Sequence, residues 1–287
     1  MASMRDIKRR RESIQSTEQI TKAMKLVSTV KLQKSRTKAE TTKPYFNMMY
    51  ETVRAMLEKS ANMTHPYLTA GNSGKKAVVL ITSNRGLAGG YNSNMIRLIA
   101  ANGFTPEDTV IYAVGRKGKE GLLRKGFEVP KDYSEVINSP LYQDAAEITQ
   151  DLLDAFQKGE ICEIYLAYTS FKNTVVHIPK LLSLLPVKLE EREQSEQKAA
   201  LTAPMNYEPN EESALNAIIP KYISSMVYGA LMEAAASENG ARMNAMDNAT
   251  SNAEDMIAEL SLQYNRARQG SITQELTEII AGANAIE

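Results

Sequence analysis

The residues best placed to do chemistry lie in NRGLAGGYNSN at 84–94, directly after the apolar run AVVLITS at 77–83. A glycine loop between a strand and a helix is where α/β folds hold phosphate, because backbone amides at the helix start point at the anion. The spacing here fits neither G-x-x-x-x-G-K-[ST] nor G-x-G-x-x-G, and Gly71-Asn72-Ser73-Gly74-Lys75-Lys76 fails the first pattern too. Arg85, Gly86, Gly89, Gly90 and Asn92 are therefore read as a tight strand-to-helix turn, with Asn92 or Ser93 near the N-cap of the next helix. His65, His177 and the single Cys162 offer no metal-ligand spacing and no nucleophile–base pair. Cys162 reads as a small buried hydrophobe in a reducing compartment. Residues 208–287 hold twelve carboxylates along one helical segment, the pattern of a solvated face. Met24, Met226, Met243, Met246 and Met256 recur at helical spacing and read as packing material. No catalytic residue, cofactor or metal is expected.

The elements that carry these residues fall into three segments. From Ser3 to Met63 the pattern is helical: Ile20, Ala23, Met24, Val27 and Val30 fall on one face, and Phe46, Met49, Val53 and Met56 recur at steps of three and four. Pro44 predicts a kink or a short break, and 64–66 and 71–74 read as loop. From 75 to 189 short β-rich runs at 77–83, 109–115 and 163–170 alternate with helical stretches near 92–101, 116–125 and 142–157, and LLSLLPV at 181–187 ends the region. Such alternation predicts a compact α/β domain. A polar stretch, 190–210, reads as an exposed linker. From 211 to the end the helical signal returns, with no proline after Pro220; 63 residues of helix would span about 95 Å. Its face runs through Ile219, Ile223, Met226, Ala230, Ala234, Ala241, Ala245, Ala249, Ala253, Met256, Leu260, Tyr264 and Ala267, and 12 of the 25 residues from Gly229 to Ala253 are Ala, Gly or Ser.

The formal net charge is zero, yet residues 1–43 carry 12 Lys/Arg against 4 Asp/Glu, and residues 208–287 carry 4 against 12. A basic and an acidic helix joined through a compact domain can lie antiparallel as a two-helix coiled coil. Exposed ion pairs contribute only about 0–1 kcal/mol each, so charge selects partner and register while apolar stripes supply stability. Strict heptads are not sustained, which predicts irregular packing. Lys8, Arg9, Arg10 and Arg11 cluster, but the neutral chain and the acidic partner helix count against nucleic acid. The longest apolar run, AVVLI at 77–81, is strand-sized, so no direct membrane insertion is expected. The basic N-terminus lacks the apolar core of a signal or transit peptide.

Three stretches, MRDIKRRRESIQSTEQITKAMKLVSTVKLQKS at 4–35, LITSNRGLAGGYNSN at 80–94 and NATSNAEDMIAELSLQYNRARQGSITQELTEIIAGANA at 248–285, together resemble the gamma subunit of the F-type, proton-driven ATP synthase. The segment ITQELTEIIAGANA at 272–285 fits that family's C-terminal signature. The resemblance implies a bacterial member without an organelle presequence, at the cytoplasmic face of the cell membrane as a peripheral protein. It implies four parts: an N-terminal coiled-coil helix over 1–63, a central Rossmann-like α/β domain over 75–189, the linker over 190–210 and a C-terminal coiled-coil helix over 211–287. It further implies a non-catalytic rotor standing in the ring of alpha and beta subunits, with its foot on the epsilon subunit and the membrane c-ring. The family's rotor–stator contacts fall on Met24 and Lys25, with Arg242 and Met246 opposite them, and higher up on Arg268, Gln269, Thr273, Glu275 and Glu278. The photosynthetic members' redox cysteine pair has no counterpart beside Cys162. Two other readings are a nucleotide-using α/β enzyme with helical arms, which needs a true phosphate loop, and a coiled-coil scaffold.

Overall fold

The computed structural model describes residues 4–59, 65–69, 71, 74–187 and 210–284. The linker expected over 190–210 lies outside the described residues except for Asn210, as do residues 60–63 of the expected first helix. The chain divides into two compact units, residues 29–241 and residues 1–28 with 242–287.

The larger unit is built on a five-stranded sheet. Its elements are β1 (Lys75–Ile81), α2 (Tyr91–Ala101), β2 (Thr109–Val114), α3 (Arg116–Leu123), β3 (Glu128–Asp132), α4 (Tyr142–Gln157), β4 (Ile161–Phe171) and β5 (His177–Leu185). The strand order is β3-β2-β1-β4-β5, with the first four parallel and β5 antiparallel to β4. In register, Val79 stands between Tyr112 of β2 and Leu166 of β4. Because β1 is central, both its faces are covered, which is why its residues form an unbroken apolar run. Val79 and Ile81 face a core shared with Ile148 and Leu152 of α4, while Val78 and Leu80 face Met95 and Ile99 of α2.

Two long helices, α1 (Met4–Lys59) and α5 (Glu211–Asn284), contribute to both units. Within the larger unit Val53, Met56 and Leu57 of α1 and Ile219, Ile223, Val227 and Leu231 of α5 join the α4-side core. Helix α1 continues through Pro44 without a break, and α5 runs through Pro220. At the start of α5, Asn210 Oδ1 accepts from Ser213 N at 2.8 Å, a side-chain cap for one of the unpaired amides of the first turn.

The smaller unit is an antiparallel pair of helix segments. Thr21 and Thr250 join hydroxyls at 2.8 Å, Lys25 Nζ meets Asp247 Oδ1 at 2.5 Å, and the Arg11 guanidinium lies 5.4 Å from the Tyr264 ring centre. As the α1 number falls the α5 number rises. The covered α1 positions in this unit are Met4, Ile7, Arg11, Ile14, Glu18, Thr21, Met24, Lys25 and Ser28, and those of α5 include Met246, Thr250, Ala253, Ile257, Leu260, Tyr264, Ala267 and Ser271 beside Arg242, Met243, Asn244, Ala245, Ala249 and Ser261. Steps of three and four are mixed with adjacent covered pairs such as Met24–Lys25 and Ala249–Thr250, as the irregular coil expected from residue types would show, and Thr, Ser and Ala share the seam with Ile7, Met246 and Leu260. The expected α1 face is displaced: Ile20 is 57% exposed and Val27 56%. On α5 the expected face is largely covered, Met256 excepted.

Candidate functional site

The glycine turn follows β1 and is held from inside. Thr82 N donates to Val114 O at 2.7 Å, and the Thr82 hydroxyl accepts from Gly118 N at 2.9 Å. Gly115 packs so tightly beneath it, at φ +109°, that a Cβ there would sit 2.1 Å from Thr82 O. Only glycine fits. Asn92 Oδ1 accepts from Ser83 N at 3.0 Å, and its Nδ2 donates to Ser83 Oγ at 2.7 Å. Asn84 Nδ2 donates to Ser134 O at 2.7 Å, and its Oδ1 accepts from Arg116 N at 3.0 Å at the start of α3. These side chains are committed to the loop's own framework.

Gly90 is the N-cap of α2, while Asn92 and Ser93 lie in its first turn; Asn92 turns back to the strand, and Ser93 Oγ donates to Gly90 O at 3.1 Å. Gly89 has φ +55°, and Leu87 takes φ +61° while 63% exposed.

In open parallel sheets ligands enter the crevice beyond the strand ends where the strand order reverses. That point here is β1, flanked by β2 and β4. The crevice is filled by α5. Buried Tyr91 donates its hydroxyl to Ala234 O at 3.2 Å, and Ser237 Oγ donates to Thr169 O at 3.0 Å, where β4 outruns β1. One turn on, the His177 ring lies against Gly240. Burial pushes the His177 imidazole below its ordinary 6.5, which favours the neutral ring.

The remaining candidates lie in the smaller unit and form two groups. Met24 and Lys25 are half-buried, as is Arg242, and Met246 is buried in the seam at 4% exposure. Asp247, which the sequence reading did not single out, is the residue that meets Lys25; the opposite end charges were the signal that could have found it. Thr21 and Thr250 were missed for the same reason as the seam itself, whereas Tyr264 was read on the α5 face and Arg11 only as part of a basic cluster.

The second group begins 22 residues beyond Met246, about 33 Å along a helix. Arg268, Gln269, Thr273, Glu275 and Glu278 are all exposed. Thr273 Oγ1 donates to Gln269 O at 2.9 Å, and Glu278 Oε1 accepts from Gln274 Nε2 at 2.9 Å, so two of the five are tied to α5 itself. Around them Ile272, Leu276, Ile279 and Ile280 are 45–68% exposed. Among the described residues no helix is long and apolar enough to cross a membrane, and no group of three or more His, Cys, Asp or Glu is placed to hold a metal ion.

The family described as ATP synthase matches residues 3–286. The "ATP synthase gamma chain" of Lachnoclostridium phytofermentans is 68% identical over 290 residues, covering 100% of both chains. The "ATP synthase gamma chain, sodium ion specific" of Acetobacterium woodii is 40% identical, covering 99% of each. Among solved structures, the central stalk/c-ring structure of Tetrahymena thermophila mitochondrial ATP synthase matches with a TM-score of 0.59 at 27% identity, over 80% of this chain and 99% of that one. A chain of the Euglena gracilis mitochondrial enzyme matches with a TM-score of 0.70 at 19% identity, over 99% of this chain and 94% of that one, a likeness of fold.

Proposed function

Because this chain belongs to the ATP synthase gamma chain family, we propose that it is the central-stalk rotor subunit, which carries the turning of a membrane ion-driven ring to the catalytic sites of an alpha/beta hexamer. The observation that carries this reading is the far end of α5. Beyond Ser271 its described side chains are exposed, four large apolar ones among them. A lone helical segment of that length is marginal in water, and apolar groups arrayed on it are best covered. A sleeve of partner subunits does both, and small or aliphatic groups with few directional bonds suit turning within it.

In this reading the chain has no catalytic residue of its own. The crevice where an α/β enzyme would bind nucleotide holds Tyr91 and α5 instead, which favours a transmitter over the nucleotide-using alternative. The partners are the alpha and beta subunits, the epsilon subunit and the c-ring, and the chain sits peripherally on the cytoplasmic face of a bacterial membrane. We read 1–63 and 211–287 as coiled-coil arms on a 75–189 α/β domain, joined by a 190–210 linker, and protons as the driving ion. Sodium-independent ATP synthesis is the expected result for that ion; strict dependence on sodium refutes it.

The proposed rotor–stator contacts are Met24, Lys25, Arg242 and Met246 low on the coil, and Arg268, Gln269, Thr273, Glu275 and Glu278 near its tip. Contacts that differ between angular positions are what couple an angle to a neighbour's state. Co-expression with alpha and beta subunits should yield a stable ATPase complex, and Met24→Lys should lower ATP synthesis more than assembly. A chain that hydrolyses ATP alone, or a variant that loses both equally, overturns the reading.

A further inference from the structure

Resting on the reading of this chain as one subunit of an assembly, we propose that the groove between α1, the β4–β5 hairpin and α5 seats a Lys or Arg side chain of a non-identical partner subunit, its cation against Glu233. The groove, about 750 Å³, lies wholly within the larger unit. That is ample for an inserted side chain and its flanking residues, and falls within the range of roughly 300–1,000 Å³ typical of ligand-binding clefts.

Its lining is mixed. Phe171, Leu182, Met226 and Ala230 give an apolar surface that suits an aliphatic stem. Glu233, on the α5 side, has its Oε2 closed off from solvent with no hydrogen-bond partner. A buried carboxylate oxygen without a donor is a strongly unfavourable arrangement that calls for a specific explanation. The groove's own cations, Arg36, whose Nε donates to Glu40 Oε1 at 2.8 Å, and Lys172 on the hairpin, do not reach Glu233 Oε2. A donor for Glu233 from outside the chain completes the site, and a cation does so best.

Two further features favour a polypeptide as the carrier. Asn173 Oδ1 accepts from Val175 N at 2.9 Å and from Val176 N at 2.7 Å, so the rim is formed in advance. Val175 and Val176, next in the chain to the lining residue Thr174, are 71% and 41% exposed, which extends the groove into an apolar contact surface.

The test uses the assembled complex with a photo-crosslinking amino acid at position 174, in otherwise native chain and with Glu233→Gln. The expected result is one predominant adduct, to a different subunit, through a peptide containing Lys or Arg, with its yield reduced about tenfold by Glu233→Gln, the fold-change of one charge-assisted bond. Reversal of both partners, Glu233→Lys with the captured basic residue changed to Glu, should restore the yield. No polypeptide adduct, an adduct to a second copy of this chain, a peptide without Lys or Arg, or a yield indifferent to Glu233→Gln overturns the proposal. Failure of the chain to enter any complex overturns the rotor reading as well; a complex that forms with an indifferent adduct overturns the groove alone.

Discussion

Gly240→Ala separates two opposed effects at the place where α5 fills the crevice of the sheet. Glycine within a helix costs about 0.5–1 kcal/mol relative to alanine, so the substitution alone stabilises α5. The added Cβ would lie 2.6 Å from His177 Nε2 and 3.4 Å from its Cε1. Carbon at 2.6 Å is well inside contact, and forcing a methyl into a packed site costs about 1–3 kcal/mol. The His177 ring is flanked on another side by Phe171, whose ring centre lies 6.0 Å away. The overlap therefore wins, and Gly240→Ala should destabilise by about 1 kcal/mol, a Tm drop of roughly 2–4 °C for a chain of this size. In a His177→Ala background the obstacle is gone and the same substitution should stabilise by about 0.5–1 kcal/mol. Chemical denaturation of the four chains, followed by circular dichroism and tyrosine fluorescence, gives the interaction energy. Equal destabilisation by Gly240→Ala in both backgrounds would refute the contact.

Gly115→Ala combines a strained φ of +109° with a backbone oxygen 2.1 Å from the new Cβ, so it should cost more than about 3 kcal/mol and show as loss of soluble chain. His177, held below its ordinary 6.5 by burial, binds a proton less readily folded than unfolded. Its contribution is complete above about pH 6.5 and is lost as pH falls through the folded-state value, so His177→Gln should flatten the stability slope on the acid side of 6.5 and leave pH 8 little changed in slope. The Lys25–Asp247 pair has side chains 39% and 57% exposed, so a Lys25→Met, Asp247→Asn double-mutant cycle should return no more than about 1 kcal/mol, shrinking with salt.

The sheet was legible because burial on both faces writes itself as apolar runs. The runs at 77–83, 109–115 and 163–170 became Lys75–Ile81, Thr109–Val114 and Ile161–Phe171. β3 was not legible: EVPKD is mostly exposed, and its Pro130 is tolerated only because the strand lies at the sheet edge. The antiparallel pairing of the ends was legible in their opposite charges, but its seam was not. The rule that the most apolar stripe is the buried one placed Ile20 and Val27 inside, whereas Thr21, Lys25 and Ser28 are covered together with Met24, which alone of that apolar stripe is half-buried. Short side chains here allow close approach of the two helices, and a paired hydroxyl such as Thr21–Thr250 removes the cost of burying it.

That inversion bears on function. A coil built for its own stability would bury Ile20, Leu26 and Val27, which together offer far more apolar area than Thr21 and Ser28; instead the three stand 56–65% exposed. At about 25 cal/mol per Å², leaving them in water forgoes several kcal/mol of burial per chain. An arrangement so unfavourable for the isolated coil is reasonable if the exposed stripe meets surrounding subunits. The same logic applies to Ile272, Leu276, Ile279 and Ile280 near the tip. The two helices thus hold each other through short residues and directed bonds around Thr21–Thr250 and through apolar side chains such as Ile7, Met246 and Leu260 elsewhere, and leave Ile20, Leu26 and Val27 exposed for the partners through which, in the rotor reading, torque passes.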